Sequence, residues 1–161
     1  LGDMNTTLIR TARGKSILIQ HDITSPRPYN RLHTISGTKG FAQKYPIRSL
    51  AFDPDAHHRL SDEQLDQMLR RYEHPITREI GEKAREVGGH GGMDFIMDYR
   101  LVYCLRHGLP LDQDVYDAAE WSSLAELTEA SVRNGSMPVA MPDFTRGAWR
   151  KVEGFSHAMA E

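Results

Sequence analysis

Alternating apolar residues near the start of the chain predict a β-hairpin. Segments 5–12 and 16–24 are rich in Thr, Leu and Ile, and Arg13-Gly14 between them suits a turn. In the second segment isoleucines occupy one face, whereas the other face is half polar, with Ser16, Leu18, Gln20 and Asp22. A half-polar face is expected where one side of a sheet meets water or a ligand.

A stiff loop and a second hairpin follow. Residues 25–30 contain two prolines, which cannot donate to a strand ladder and favour extended backbone. Segments 32–36 and 41–45 flank Gly37-Thr38-Lys39-Gly40, where the glycines suit a tight reversal. Residues 47–52 are predicted to add a fifth strand.

Helical spacing of apolar residues begins after residue 60. Ser61 and Gln64 form a predicted capping box at the start of a first helix. Pro75 opens a second helix, which Gly88-Gly89 ends. Both helices are predicted to bury a single stripe.

Two further helices are predicted downstream. The stretch 93–107 is apolar almost all round, which indicates a helix buried inside the domain. Asp112 is predicted to cap a last long helix that ends near Asn134-Gly135. The tail from Met137 is expected to add an edge strand.

The order of these elements indicates the fold class. Strands come first and helices afterwards, without the strand–helix–strand alternation of a parallel sheet, so the chain is predicted to be α+β with a mostly antiparallel open sheet. At 161 residues, one domain over 1–161 is expected. A nucleotide-binding Rossmann domain is not expected within this chain.

Composition and charge exclude several classes of partner. The net charge is −2 and no Lys/Arg block is longer than a pair, so nucleic acid is not an expected partner. The longest apolar runs are far below the roughly 18 residues of a membrane span. The lone Cys104 has apolar neighbours and is interpreted as a packed thiol. Any localisation signal is expected upstream, which leaves the choice between cytoplasm and export open.

Metal and phosphate motifs are absent from the sequence. The eight histidines are scattered, with only His57-His58 adjacent, and no Cys pair or His-Glu-x-x-His accompanies them, so no metal site is predicted. Gly88 to Gly92 has neither a preceding strand nor the glycine spacing of a dinucleotide site.

The glycine-rich segment has two interpretations. It exposes the first NH groups of the helix at 93–107, with His90 before it and Asp94 in its first turn, so a polar ligand could dock there. Alternatively, Gly88-Gly89 only ends one helix and Asp94 favours the dipole of the next. Spacing alone does not choose between them.

Other candidate residues are less distinctive. The loop Arg27 to Arg31 presents a guanidinium and a phenol suited to sugar recognition, although its residue types favour a solvated turn with a packed tyrosine. A conventional glycosidase needs two carboxylates beside the scissile bond. The acidic candidates include no pair that spacing singles out: Asp22, Glu79, Asp94 and Asp98.

Four segments together carry a family resemblance: His21 to Tyr29, Ile35 to Gly40, Gly89 to Phe95, and Asp117 to Trp121. With them the chain resembles, over nearly its whole length, the carboxy-terminal domain of the Gfo/Idh/MocA oxidoreductase superfamily. The most similar branch is glycoside hydrolase family 109, the NAD-dependent α-N-acetylgalactosaminidases.

This resemblance implies an unusual hydrolysis. An amino-terminal Rossmann domain holds NAD, while the second domain covers the sugar with an open sheet that also forms a homo-oligomer surface. NAD takes a hydride from C3 of the sugar, a base removes the C2 proton, the glycosidic bond leaves by elimination, water adds and the hydride returns. No carboxylate pair is then needed. Because the cofactor-proximal groups lie upstream of the matched stretch, this chain alone is expected neither to hold NAD firmly nor to turn over.

The resemblance also implies site residues. Tyr29 is the best match to the sugar-contacting tyrosine of the family, and Arg27, His90 and Asp94 are placed beside it as pocket residues or loop supports. Two alternatives stay open. One is a domain of an NAD(P)-dependent sugar or inositol dehydrogenase, and the other is a non-catalytic binding or dimerisation module.

Overall fold

The fold is known from a computed structural model, which describes residues 3–55 and 57–151. Five strands precede four α-helices: β1 (Met4–Arg10), β2 (Ser16–Asp22), β3 (Thr34–Ser36), β4 (Gly40–Gln43), β5 (Ser49–Phe52), α1 (Asp62–Arg71), α2 (Pro75–Val87), α3 (Met93–His107) and α4 (Val115–Arg133). Single 3-10 turns occur at His90–Gly92 and Ala148–Lys151. The predicted α+β class is confirmed.

In the part of the chain that the structure describes, all strand pairs are antiparallel, and the strands form two sheets. One is the β1–β2 hairpin, paired from Met4↔Asp22 to Arg10↔Ser16, and the other has the order β3-β4-β5. The turn between β1 and β2 is closed where Gly14 N donates to Thr11 O at 3.0 Å. The loop with two prolines separates the sheets, because proline has no NH to continue a ladder.

Local capping signals position the helices. The Ser61–Gln64 capping box is confirmed, with hydrogen bonds of 3.2 and 3.0 Å in its two directions. The predicted cap of α4 is wrong by two residues, since Asp114, not Asp112, accepts from the first NH groups of the helix. Asp112 is instead engaged by Arg100 of α3, whose Nε lies 3.0 Å from Asp112 Oδ2.

The buried apolar residues of the described ranges are few: Ala51, Leu65, Ile76, Ala84 and Cys104. Cys104 is 1% exposed, which confirms the packed thiol. The prediction that α3 is buried is wrong, because several of its apolar side chains are 45–64% exposed: Met93, Met97, Leu101, Val102 and Leu105. Helix α2 packs against α3, but within the described ranges the other sides of α3 stay largely uncovered.

The predicted edge strand after Met137 is also wrong over the described tail, residues 137–151. Side chains close local turns there: Asp143 accepts from Thr145 N at 3.0 Å and from Trp149 Nε1 at 3.2 Å. These hydrogen bonds, and the two prolines of the tail, hold the backbone away from strand geometry. Within residues 3–55 and 57–151, no helix has the length and apolar character needed to span a bilayer.

Candidate functional site

Arg27 is folded back onto the end of the β1–β2 hairpin. Its Nε lies 3.0 Å from Asp22 Oδ2, and its Nη1 donates to Gln20 Oε1 at 2.8 Å. Nη2 reaches Met4 Sδ at 3.2 Å. All of these partners lie on the half-polar face of the hairpin, so Arg27 ties the loop to the sheet.

Asp22 organises the turn that leads into this loop. Its Oδ1 accepts from Ser25 N at 3.0 Å and Thr24 N at 3.2 Å, which is the geometry of an Asx turn. The hydrogen bond from the Ser25 backbone, with help from Thr24 and the Arg27 charge, holds the pKa of Asp22 below its ordinary value of 3.8.

We expect Asp22→Asn to destabilise the protein at neutral pH and to match the wild type more closely in acid. A carboxyl whose pKa is lowered by folding contributes stability above the unfolded value of 3.8, and this contribution is lost as the pH falls through the lower folded pKa. Urea unfolding of both proteins from neutral pH to below 3.8 measures the difference. If the difference in the free energy of unfolding between the two proteins did not change with pH, the lowered pKa of Asp22 would be contradicted.

Tyr29 lies in the same loop and is held from two sides. Arg31 Nε donates to Tyr29 Oη, and the guanidinium carbon is 5.5 Å from the centre of the Tyr29 ring. The Tyr45 ring meets Tyr29 edge to face, with 5.7 Å between centroids. Tyr29 is nevertheless 69% exposed, so its phenol is presented at the surface.

Sequence reasoning did not identify Arg31 and Tyr45 as neighbours of Tyr29. Arg31 offered a weak signal, because it lies two residues from Tyr29 in the same polar loop. Tyr45 offered none, since it follows β4 and is brought near by the second hairpin. That approach is secured where Lys44 N donates to His33 O at 2.9 Å.

His90 and Asp94 form an exposed pair at the start of α3. The His90 Nδ1 atom is 2.9 Å from Asp94 Oδ2. The pair depends on the glycine segment, in which Gly88, Gly89, Gly91 and Gly92 all have positive φ. A Cβ on Gly89 would lie 2.7 Å from Asp94 Oδ2, so a larger residue there would displace the carboxylate.

The candidate residues therefore form three local groups. Arg27 contacts the hairpin, Tyr29 contacts Arg31 and Tyr45, and His90 contacts Asp94. Among the residues that the structure describes, no hydrogen bond, ion pair or ring contact joins one group to another. The same ranges contain no cluster of three or more His, Cys, Asp or Glu side chains able to hold a metal ion.

The family is shown by comparison with known proteins. A family model described as Glycosyl hydrolase 109, C-terminal domain, matches residues 1–151. With its antiparallel sheets followed by four helices, the molecule is a carboxy-terminal α+β domain of the Gfo/Idh/MocA-like type. The chain belongs to glycosyl hydrolase family 109.

Individual relatives agree with this assignment. A Glycosyl hydrolase family 109 protein of Porphyromonas gingivalis is 55% identical over 99% of this chain and 37% of its own length. An Alpha-N-acetylgalactosaminidase of Bacteroides fragilis is 60% identical over 94% of this chain and 36% of its own length. The chain therefore spans little more than a third of the curated relatives it matches.

Proposed function

We propose that this chain is the substrate-side domain of an NAD-dependent glycosidase that cleaves terminal α-N-acetylgalactosamine. The observation that carries the proposal is the 60% identity to a protein named Alpha-N-acetylgalactosaminidase, over 94% of this chain. In the proposal, residues 1–161 are one domain, and an amino-terminal NAD-binding domain precedes it in the complete protein. The relatives are long enough to include such a domain, since this chain covers only 36% of that protein.

NAD is assigned to the preceding domain, not to this one. The described strands pair only in antiparallel fashion, and the glycine segment joins two helices instead of a strand and a helix. These features do not fit a dinucleotide site. The proposed reaction is transient oxidation at C3 of the sugar, elimination, water addition and re-reduction, and we assign none of these steps to residues of this chain. The isolated domain is accordingly proposed to be inactive.

The sugar contact proposed for this domain is Tyr29. A phenol held at the surface combines an aromatic ring with a hydrogen-bonding hydroxyl, which suits a ligand that has both CH faces and hydroxyl groups. Arg27 holds the loop against the β1–β2 hairpin through its contacts with Gln20 and Asp22. The His90–Asp94 pair is proposed as a second polar contact, because both side chains are exposed.

The uncovered apolar surface supports two protein partners. On α3, Met97 and Leu105 are 61% and 64% exposed. The uncovered sides of α3 are proposed to meet the amino-terminal domain. The half-polar face of the first hairpin also carries Leu8 and Leu18, which are 74% and 64% exposed, and this face is proposed to meet a second copy of the chain. A two-stranded sheet is only marginally stable unless something covers it.

Incubation of the full-length protein with an aryl α-N-acetylgalactosaminide tests the activity. We expect release of the phenol without net NADH, because the hydride returns within each turnover. The aryl β-anomer and the aryl α-galactoside serve as matched controls for anomer and N-acetyl group. Steady accumulation of NADH without release of the phenol would instead identify a sugar dehydrogenase and contradict the proposal.

A further inference from the structure

We infer that Arg31 is a positioning residue that sets Tyr29 as a hydrogen-bond donor toward the sugar. The inference rests on the proposed function, which makes Tyr29 the sugar contact. The inference adds Arg31 to that contact, and it predicts which kind of ligand atom Tyr29 binds.

The loop backbone places Arg31 beside Tyr29. Asn30 Oδ1 accepts from Leu32 N at 2.7 Å, and Leu32 takes the left-handed conformation with φ 47°. This tight turn directly follows Tyr29 and includes Arg31. The Arg31 side chain consequently reaches the Tyr29 hydroxyl and also lies near its ring.

The chemistry of the two groups then determines the direction of hydrogen bonding. A guanidinium has donors and no acceptor, so the Tyr29 oxygen must accept from Arg31. The phenol proton is left for another partner. Within the described ranges, Tyr29 Oη has no hydrogen bond other than the one from Arg31. A ligand that arrives at Tyr29 is therefore offered an O–H donor.

The charge of Arg31 and a contact with Tyr45 both favour this donor. The positive charge of Arg31 polarises the phenol, and hydrogen bonds involving an ionised group are stronger than neutral ones. The edge-to-face contact with Tyr45 holds the plane of the ring, and because a phenol O–H prefers to lie in that plane, it also favours one direction for the donated proton. The preferred ligand atom is thus an acceptor oxygen, such as the carbonyl oxygen of an N-acetyl group or a sugar hydroxyl oxygen.

A double-mutant cycle in the full-length protein tests this coupling. The variants are Tyr29→Phe, Arg31→Met, the double variant and Arg31→Lys, with Arg78→Met on the exposed side of α2 as the matched control. Calorimetry measures binding of free N-acetylgalactosamine, which requires no turnover. Assays with the aryl α-N-acetylgalactosaminide separate KM from kcat.

We expect each single variant to weaken binding and raise KM by about five- to tenfold, with kcat changed less than about twofold. Because Arg31 acts through the phenol, the double variant should bind no more weakly than Tyr29→Phe, within about twofold. Arg31→Lys keeps one charged donor and should recover part of the loss, whereas Arg78→Met should match the wild type.

The possible failures are distinguishable. If the losses of sugar affinity in the two single variants multiplied in the double variant, the role of Arg31 would be overturned and Tyr29 would remain a contact. Unchanged sugar binding in Arg31→Met would have the same meaning. Unchanged binding in Tyr29→Phe would overturn both the contact and the inference. If Tyr29 and Arg31 proved coupled in sugar binding but the full-length protein released no phenol, the inference about Arg31 would be supported. The proposed glycosidase activity would then be contradicted.

Discussion

Gly92→Ala is expected to lower the free energy of unfolding by about 3 kcal/mol. Gly92 has φ 98°, and a Cβ there would lie 2.8 Å from the backbone carbon of Ala84 and 2.9 Å from its oxygen. The atoms in the way belong to the α2 backbone, so they cannot rotate aside as a side chain would. Relief of the clash requires the start of α3 to move away from α2. Denaturant unfolding monitored by circular dichroism measures the loss.

Gly91→Ala is the matched control for Gly92→Ala. Gly91 also has a positive φ, 73°, but nothing lies within 4 Å of a Cβ built on it. Its substitution should therefore cost only the backbone strain of a left-handed alanine, about 1 kcal/mol. Equal losses in the two variants would show that the close approach to Ala84 does not matter.

The second large effect is expected for Asp112→Ala, with a loss of about 2 kcal/mol. Arg100 binds Asp112 through Nε at 3.0 Å and Nη2 at 3.1 Å, and its side chain is only 12% exposed. The hydrogen bonds that Arg100 donates to Asp112 raise the pKa of Arg100. Removal of the carboxylate leaves a largely buried guanidinium without its partner. Chemical denaturation of the variant measures the effect.

Glu129→Ala is the control for Asp112→Ala, because it breaks an ion pair of Arg133 that is exposed on α4. Exposed pairs of this kind contribute less than about 0.5 kcal/mol. The double variant Arg100→Met/Asp112→Ala should recover part of the loss, since no unpaired charge remains buried. If Asp112→Ala lowered the free energy of unfolding as little as Glu129→Ala, the Arg100–Asp112 pair would not stabilise the connection between α3 and α4.

The local elements were predictable because their signals act over a few residues. The hairpin at Arg13-Gly14, the capping box of Ser61 and the ends of α2 at Pro75 and Gly88 all depend on neighbours within one turn. The α4 cap shows the limit of such signals. Asp112 and Asp114 are both suitable caps by type, and only the position of Arg100 across the α3–α4 connection assigns them different roles.

The candidate site was predictable in part. Residue types and family resemblance indicate Tyr29, Arg27, His90 and Asp94, and the structure adds which atoms they contact. The contact of Arg31 with Tyr29 depends on the turn at Leu32, and that of Tyr45 depends on the second hairpin. Their roles toward a sugar stay predictions until the variants are measured.

The order of strands and helices, the antiparallel pairing of the strands and most element boundaries, to within about two residues, follow from short-range periodicity, turn residues and caps. Tertiary structure alone decided three other features: the division of the strands into two sheets, the exposure of α3, and the partners of Tyr29 and Asp112. The apolar pattern all round α3 predicts that the helix is covered, but the pattern does not identify the surface that covers it. Among the described residues α2 covers one side of α3, because Gly92 lacks the Cβ atom that would meet the backbone of Ala84.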